Sequence, residues 1–339
     1  MKIAILGAGA WGTALAVHFC TQHSVSLWAR DPQQIATMAG ARANARYLPD
    51  VALPPALSLT ARLDATVVWA DAIIVSTPSG AFRGILETIA PLISSTPVIW
   101  ACKGFEAGSM KLPHQIAAES LPQSTPRGVL SGPSFAKEVA AGLPTALTLA
   151  SSDARILDMA VQLHNHHLRV YTSPDVVGVE LGGALKNVIA IAAGISDGLH
   201  FGYNARAALI SRSLAEMIRL GQQLGGEAET FMGLTGMGDL ILTATSDLSR
   251  NRQVGLKLAA GMKLPAILQE LGHIAEGVTT AREIDKLALE MGVDMPVVHA
   301  VNQILYQDIA PEIAVQTLLN REPKAELSRS PSNSGKTPH

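Results

Sequence analysis

The sequence is poor in charge, in cysteine and in aromatic residues. Charged residues fill 16% of its 339 positions and aromatic ones 4%, where an ordinary globular chain carries roughly 25% charged residues. The 26 basic residues nearly balance 28 acidic ones, for a net charge of −2. That balance excludes a protein whose whole surface grips nucleic acid or anionic lipid; an anionic ligand must be caught by a few placed groups. Two cysteines, Cys20 and Cys102, are too few for a disulfide framework. Each sits in an apolar run and reads as a buried, reduced thiol of a cytoplasmic protein. His164, His166 and His167 crowd together without a cysteine or carboxylate at ligand spacing, so no metal is expected.

Long apolar runs are also missing. Lys2 and the apolar stretch 3–19 superficially resemble a signal peptide, but Gly7, Gly9 and Gly12 interrupt it. The pattern passes from strand-like to helix-like across those glycines. No other stretch offers 18 uninterrupted apolar residues, and no membrane span is expected.

What is present is a large supply of core. Apolar residues make up 48% of the chain, and its length is about twice that of a typical domain, so two domains are expected. Strand-like runs at 2–6, 25–29, 72–76, 98–102, 128–130 and 146–150, with a possible last one at 167–171, alternate with helical stretches. Several are continuous apolar runs, as strands covered on both faces should be, and the alternation argues for a parallel, doubly wound sheet. Beyond about Ser173 the spacing is helical, as at 207–224, 264–271 and 279–291. Asp31-Pro32, Ser173-Pro174 and Met295-Pro296 look like helix boundaries. The expected plan is an α/β domain over 1–175, an all-helical domain over 176–321 and a polar, disordered tail over 322–339.

Gly7-Ala8-Gly9-Ala10-Trp11-Gly12 follows the first strand and opens a helix. The first glycine permits the tight turn, the second lets a pyrophosphate approach the backbone, and the third allows close helix–strand packing. This context makes the sheet Rossmann-type. The second strand ends in Ala29-Arg30-Asp31-Pro32. Arg30 suits a 2′-phosphate and favours NADP(H), with NAD(H) left open, while Asp31 reads as the cap of a helix beginning at Pro32.

Further candidates lie at strand ends and in the helical half. Lys103-Gly104 follows the fourth strand at the edge where open α/β sheets bind ligands. Ser131-Gly132-Pro133-Ser134-Phe135-Ala136 ends the fifth in the same way. Lys186 is a single cation in an almost wholly apolar helix, where desolvation lowers its pKa toward useful acid–base values. Reduction of a ketone needs one proton donor near the carbonyl oxygen, and Lys186 is the best candidate. Asp239, in Gly236-Met237-Gly238-Asp239-Leu240, either orients that lysine or simply caps a helix. Ser249-Arg250-Asn251-Arg252 is a compact donor cluster suited to phosphate.

Taken together these residues resemble the bacterial glycerol-3-phosphate dehydrogenase [NAD(P)+] family, from Met1 to about Leu319. The most specific stretch runs from Gly183-Ala184-Leu185-Lys186-Asn187 through Ser196-Asp197-Gly198 to Gly202-Tyr203-Asn204. Leu48-Pro49-Asp50 matches as well. The resemblance implies NAD(P)-linked interconversion of glycerone phosphate and sn-glycerol 3-phosphate, supplying glycerophospholipid synthesis. It implies Lys186 as proton donor and acceptor, with Lys103, Gly132, Ser134, Asp239, Ser249, Arg250 and Asn251 around the substrate. It puts Ala10, Trp11, Arg30, Lys103, Ala136, Arg250, Ile274 and Glu276 on the dinucleotide. The chain departs from the family at Pro78-Ser79-Gly80, where relatives often carry a larger polar third residue. No metal is implied, and a homodimer is a possible assembly. The residues alone leave two rivals, a dehydrogenase of another small hydroxy acid and a non-catalytic NAD(P)H sensor.

Overall fold

The structure is a computed structural model that describes residues 1–271 and 275–322. Among the described residues ten strands form in chain order: β1 (Lys2–Leu6), β2 (Ser24–Trp28), β3 (Ala43–Asn44), β4 (Leu48–Ala52), β5 (Ser58–Thr60), β6 (Ala72–Val75), β7 (Val98–Trp100), β8 (Arg127–Ser131), β9 (Thr145–Ala150) and β10 (Leu168–Ser173). Eight of them make one sheet in the order β10-β9-β8-β7-β6-β1-β2-β5, and β3 pairs with β4 as a separate hairpin. The chain builds outward from β1 to one edge, then returns and builds the other way from β6. The reversal leaves a crevice between the carboxyl ends of β1 and β6, where open α/β sheets take ligands.

Alternate residues of β1 feed opposite faces of the sheet. Ile3 and Ile5 join one core with Leu15, Phe19 and Leu27, while Ala4 and Leu6 join another with Phe82, Leu86 and Trp100. This double cover explains why the strands read as unbroken apolar runs.

The sheet departs from the expected all-parallel pattern at β8 and β9, which pair antiparallel. The connection holds only the five-residue helix Ala136–Ala140, about 7 Å long at 1.5 Å per residue. A crossover must run back the whole length of a strand, roughly 16 Å for five residues, so the chain turns straight back instead. The hairpin and β5 lie outside the expected strands because they bury few side chains and carry no apolar run to mark them.

After Ser173 the described residues hold helices and no strand. The helix Val176–Gly198 runs through the centre of this half, and every residue from Gly178 to Ser196 is buried. It is the one described helix long and apolar enough to cross a membrane, yet 89% of its most apolar window is buried inside the protein. Its apolar side chains join Leu214, Met217, Leu240, Val254, Ala281 and Val298 in a third core. Gly194 and Gly255 let it meet the helix Arg250–Ala259 backbone to backbone: a Cβ at Gly255 would lie 2.1 Å from the Ile191 carbonyl oxygen.

Helix boundaries follow local chemistry. Asp31 caps Pro32–Ala41, its side chain accepting from the Gln33 amide at 2.9 Å. Pro296 opens Pro296–Tyr306. At Ser173-Pro174 the capping side chain is Asp175, which accepts from the Gly178 amide at 2.7 Å. Of the two thiols Cys102 is buried, whereas Cys20 is only partly covered, correcting the expectation for it. The expected tail from 323 onward lies outside the described residues.

Candidate active site

The glycine turn is built as its three positions require. Gly7 adopts φ +119°, and a Cβ there would sit 2.8 Å from the Ser76 carbonyl oxygen across the crevice. A Cβ at Gly12 would lie 1.9 Å from the Gly7 oxygen, so only glycine lets the helix Ala10–Phe19 seat against β1. Nothing lies within 4 Å of a Cβ built on Gly9, and no side chain caps the helix. The first-turn amides, including those of Ala10 and Trp11, are therefore free to face a pyrophosphate.

Two side chains that the sequence reading missed hold this loop. Gln34 Nε2 and Asn44 Nδ2 each donate to the Ala8 carbonyl at 3.0 Å, and Asn44 also donates to Thr13 Oγ1 at 2.8 Å. Asn44 lies on β3, which carried no sequence signal. Arg30 is exposed just beyond β2. Its neighbour Asp31 is engaged as a helix cap, and among the described residues Arg30 forms no ion pair with it.

A second cluster lies where the sheet meets the central helix. Asp239, fully buried at the start of the helix Asp239–Thr245, accepts from two lysines. Lys186 Nζ donates to its Oδ1 in a close contact, and Lys103 Nζ donates to its Oδ2 at 2.7 Å and to the Gly132 carbonyl at 3.3 Å. The helix-capping alternative for Asp239 is thus replaced by lysine pairing. Thr243, one turn on, donates to the Asp239 carbonyl at 2.6 Å. Burial lowers the Lys186 pKa to about 8; Asp239 opposes the fall and the Lys103 charge reinforces it.

The remaining sequence candidates converge only in part. Ser134 Oγ donates to the Gly132 carbonyl at 3.1 Å, and Ala136 begins the short helix after that loop. Asn251 donates to Asn187, the residue after Lys186, at 3.0 Å and accepts from the Gly277 amide at 3.1 Å. Glu276 opens the helix Glu276–Glu290. Burial raises its pKa, against the pull of Arg250, Lys103 and Lys186. Ser249 caps the helix Arg250–Ala259 by accepting from the Arg252 amide at 3.2 Å, and Arg250 is exposed. Arg252 is not part of one donor cluster: its guanidinium turns to Asp197 at 2.7 Å and to Asp247 at 2.5 Å. Ile274 lies outside the described residues, among which no three metal-ligating side chains are grouped.

A doubly wound sheet whose dinucleotide crevice adjoins a buried, acid-paired lysine defines the class of nicotinamide-linked oxidoreductases. Residues 2–157 match the NAD-dependent glycerol-3-phosphate dehydrogenase N-terminus, and residues 175–316 match its C-terminus. The chain belongs to the NAD-dependent glycerol-3-phosphate dehydrogenase family. It is 56% identical over 328 residues to glycerol-3-phosphate dehydrogenase [NAD(P)+] of Thiobacillus denitrificans, covering 96% of this chain and 100% of that one. The enzyme of that name from Nitrosospira multiformis is also 56% identical, over 332 residues and the same shares of each chain. The crystal structure of the Coxiella burnetii glycerol-3-phosphate dehydrogenase is 43% identical, with a TM-score of 0.90 over 94% of this chain and 99% of that one.

Proposed function

We propose that this chain catalyses the NAD(P)-linked interconversion of glycerone phosphate and sn-glycerol 3-phosphate. The observation that carries the mechanism is the buried Lys186, paired with Asp239 and lowered to a pKa of about 8. Such a group gives and takes a proton near neutral pH. The bound coenzyme supplies a hydride to C2 of the ketone, or accepts one from the alcohol. Lys186 protonates the carbonyl oxygen as the hydride arrives, and in the reverse direction removes the hydroxyl proton. Asp239 holds the ammonium in place, and Lys103 adds positive charge where oxygen becomes negative.

Gly7, Gly9, Ala10, Trp11 and Gly12 suit the pyrophosphate, given the open space at Gly9 and the uncapped helix. Arg30 serves the ribose end and favours NADP(H). Arg250, Ser249 and Asn251, at the start of one helix, offer donors to the substrate phosphate. Gly132 and Ser134 are assigned to the substrate and Ala136, Lys103, Arg250 and Glu276 to the coenzyme; the family resemblance alone adds Ile274 to the coenzyme set. The division into 1–175 and 176–321 follows the change from sheet to helices. In the cell the product would feed glycerophospholipid synthesis in the cytoplasm, a setting supported by two free thiols. A homodimer is the proposed assembly, supported by the exposed apolar side chains of Phe201 and Tyr203.

Absorbance at the nicotinamide band tests the activity. Glycerone phosphate added to enzyme and NADPH should oxidise the coenzyme. Oxidation with a small keto acid and none with glycerone phosphate would overturn the assignment.

A further inference from the structure

The central helix is tied to the sheet at a second buried point, outside the site just described. Glu180, with 1% of its side chain exposed, accepts two N–H hydrogen bonds from the sheet half and pairs with an imidazole nitrogen there. Its Oε1 receives Trp100 Nε1 at 2.8 Å and the His114 amide at 2.9 Å, and its Oε2 lies 2.6 Å from His114 Nδ1. Its neighbours straddle the seam: Val179 packs in the sheet core and Leu181 in the helical core. Trp100 is the last residue of β7 and is itself wedged against Phe82.

The spacing links this clamp to the lysines. Lys103 lies three residues beyond Trp100, about 10 Å along extended chain. Lys186 lies six residues beyond Glu180, about 9 Å along a helix. Two stretches of nearly equal length therefore run from the clamp to Asp239, where both lysines end. The result is a closed frame, with Trp100–Glu180 as one rung and Lys103–Asp239–Lys186 as the other.

We propose that Glu180 is a positioning residue for proton transfer, acting through the helix that carries Lys186. The inference rests on Lys186 being the proton donor. Cutting the clamp lets the helix settle along the sheet, and a shift of about 1 Å at a reacting group can cost on the order of a hundredfold in rate. Glutamine keeps one oxygen for Trp100 Nε1 and the His114 amide. Its NH2 can donate to His114 Nδ1 in the imidazole tautomer that leaves this nitrogen unprotonated, so an amide in place of the carboxylate should serve.

Four variants test this: E180A, E180Q, W100F and the double variant E180A/K186M. E180A should lower kcat at least about tenfold with the KM for NADPH unchanged, and should move the pH inflection of kcat/KM. E180Q should return both toward wild type. W100F, which removes one donor and leaves the His114 bonds, should cost severalfold and decides the matter if E180A does not fold. In the K186M background, E180A should cost nothing further. Folded E180A and W100F with wild-type kcat and inflection, beside a slow K186M, would overturn the positioning role alone. A K186M enzyme of normal turnover would instead remove the proton-transfer reading, and this proposal with it.

Discussion

Lys103 and Asp239 stand 136 residues apart in the chain and 2.7 Å apart in the fold. One follows β7 and the other opens a helix, so their ion pair joins the sheet half to the helical half at the site. The loop carrying Lys103 is fastened independently. Glu106 accepts two bonds from Arg83 at 2.7 and 2.8 Å, and those bonds hold its carboxyl down to about 2. Phe105 is buried in the helical core. The ammonium is therefore presented from a fixed backbone, and its charge contributes to the lowered pKa of Lys186.

Coenzyme choice rests on Arg30. Replacing it with alanine should weaken NADPH far more than NADH, since only NADPH carries the 2′-phosphate. A charge-assisted contact of this kind is worth roughly 1.5–3 kcal/mol, or about ten- to a hundredfold in affinity. Dissociation constants for both coenzymes on one preparation decide it, and equal losses would contradict the assignment.

Phosphate recognition rests on Arg250. Arg250→Ala should raise the KM for glycerone phosphate about ten- to a hundredfold, the equivalent of losing roughly 1.5–3 kcal/mol. It should barely change the slow rate with unphosphorylated dihydroxyacetone. NADPH affinity measured in the same variant separates a coenzyme effect from a substrate effect. An equal penalty on both substrates after that correction would make Arg250 a coenzyme or structural residue.

The pH dependence follows from the Lys186 pKa of about 8. Ketone reduction needs the protonated amine, so kcat/KM for reduction should fall as pH rises through about 8. Alcohol oxidation needs the free base and should rise over the same interval. Asp239→Asn removes the carboxylate that favours the ammonium, which moves the inflection to lower pH. An inflection displaced upward in that variant would contradict the electrostatic reading.

The glycine turn and the switch from sheet to helices were legible in the sequence because both rest on local rules. Backbone room at Gly7, Gly9 and Gly12 and the change of apolar period across Ser173 need no distant partner. Lys186 was legible because its neighbours along the helix are apolar or small. The sharing of Asp239 was not, since no local pattern joins residues so far apart. Arg252 shows the opposite failure. Two residues beyond Arg250 it looks like part of one phosphate site, but helical residues two apart face different directions, and it pairs with Asp197 instead. The antiparallel β9 escaped notice because strand direction is set by the length of the connection, not by strand composition.

The most direct test is the steady-state rate of glycerone phosphate reduction by Lys186→Met, read beside NADPH binding in the same protein. Methionine keeps the stem and removes the titrating amine. Binding should survive while turnover falls by ~10²–10⁴-fold, the range for a positioned acid or base. Turnover close to wild type, with binding intact, would contradict the role of Lys186 and assign the proton to another group.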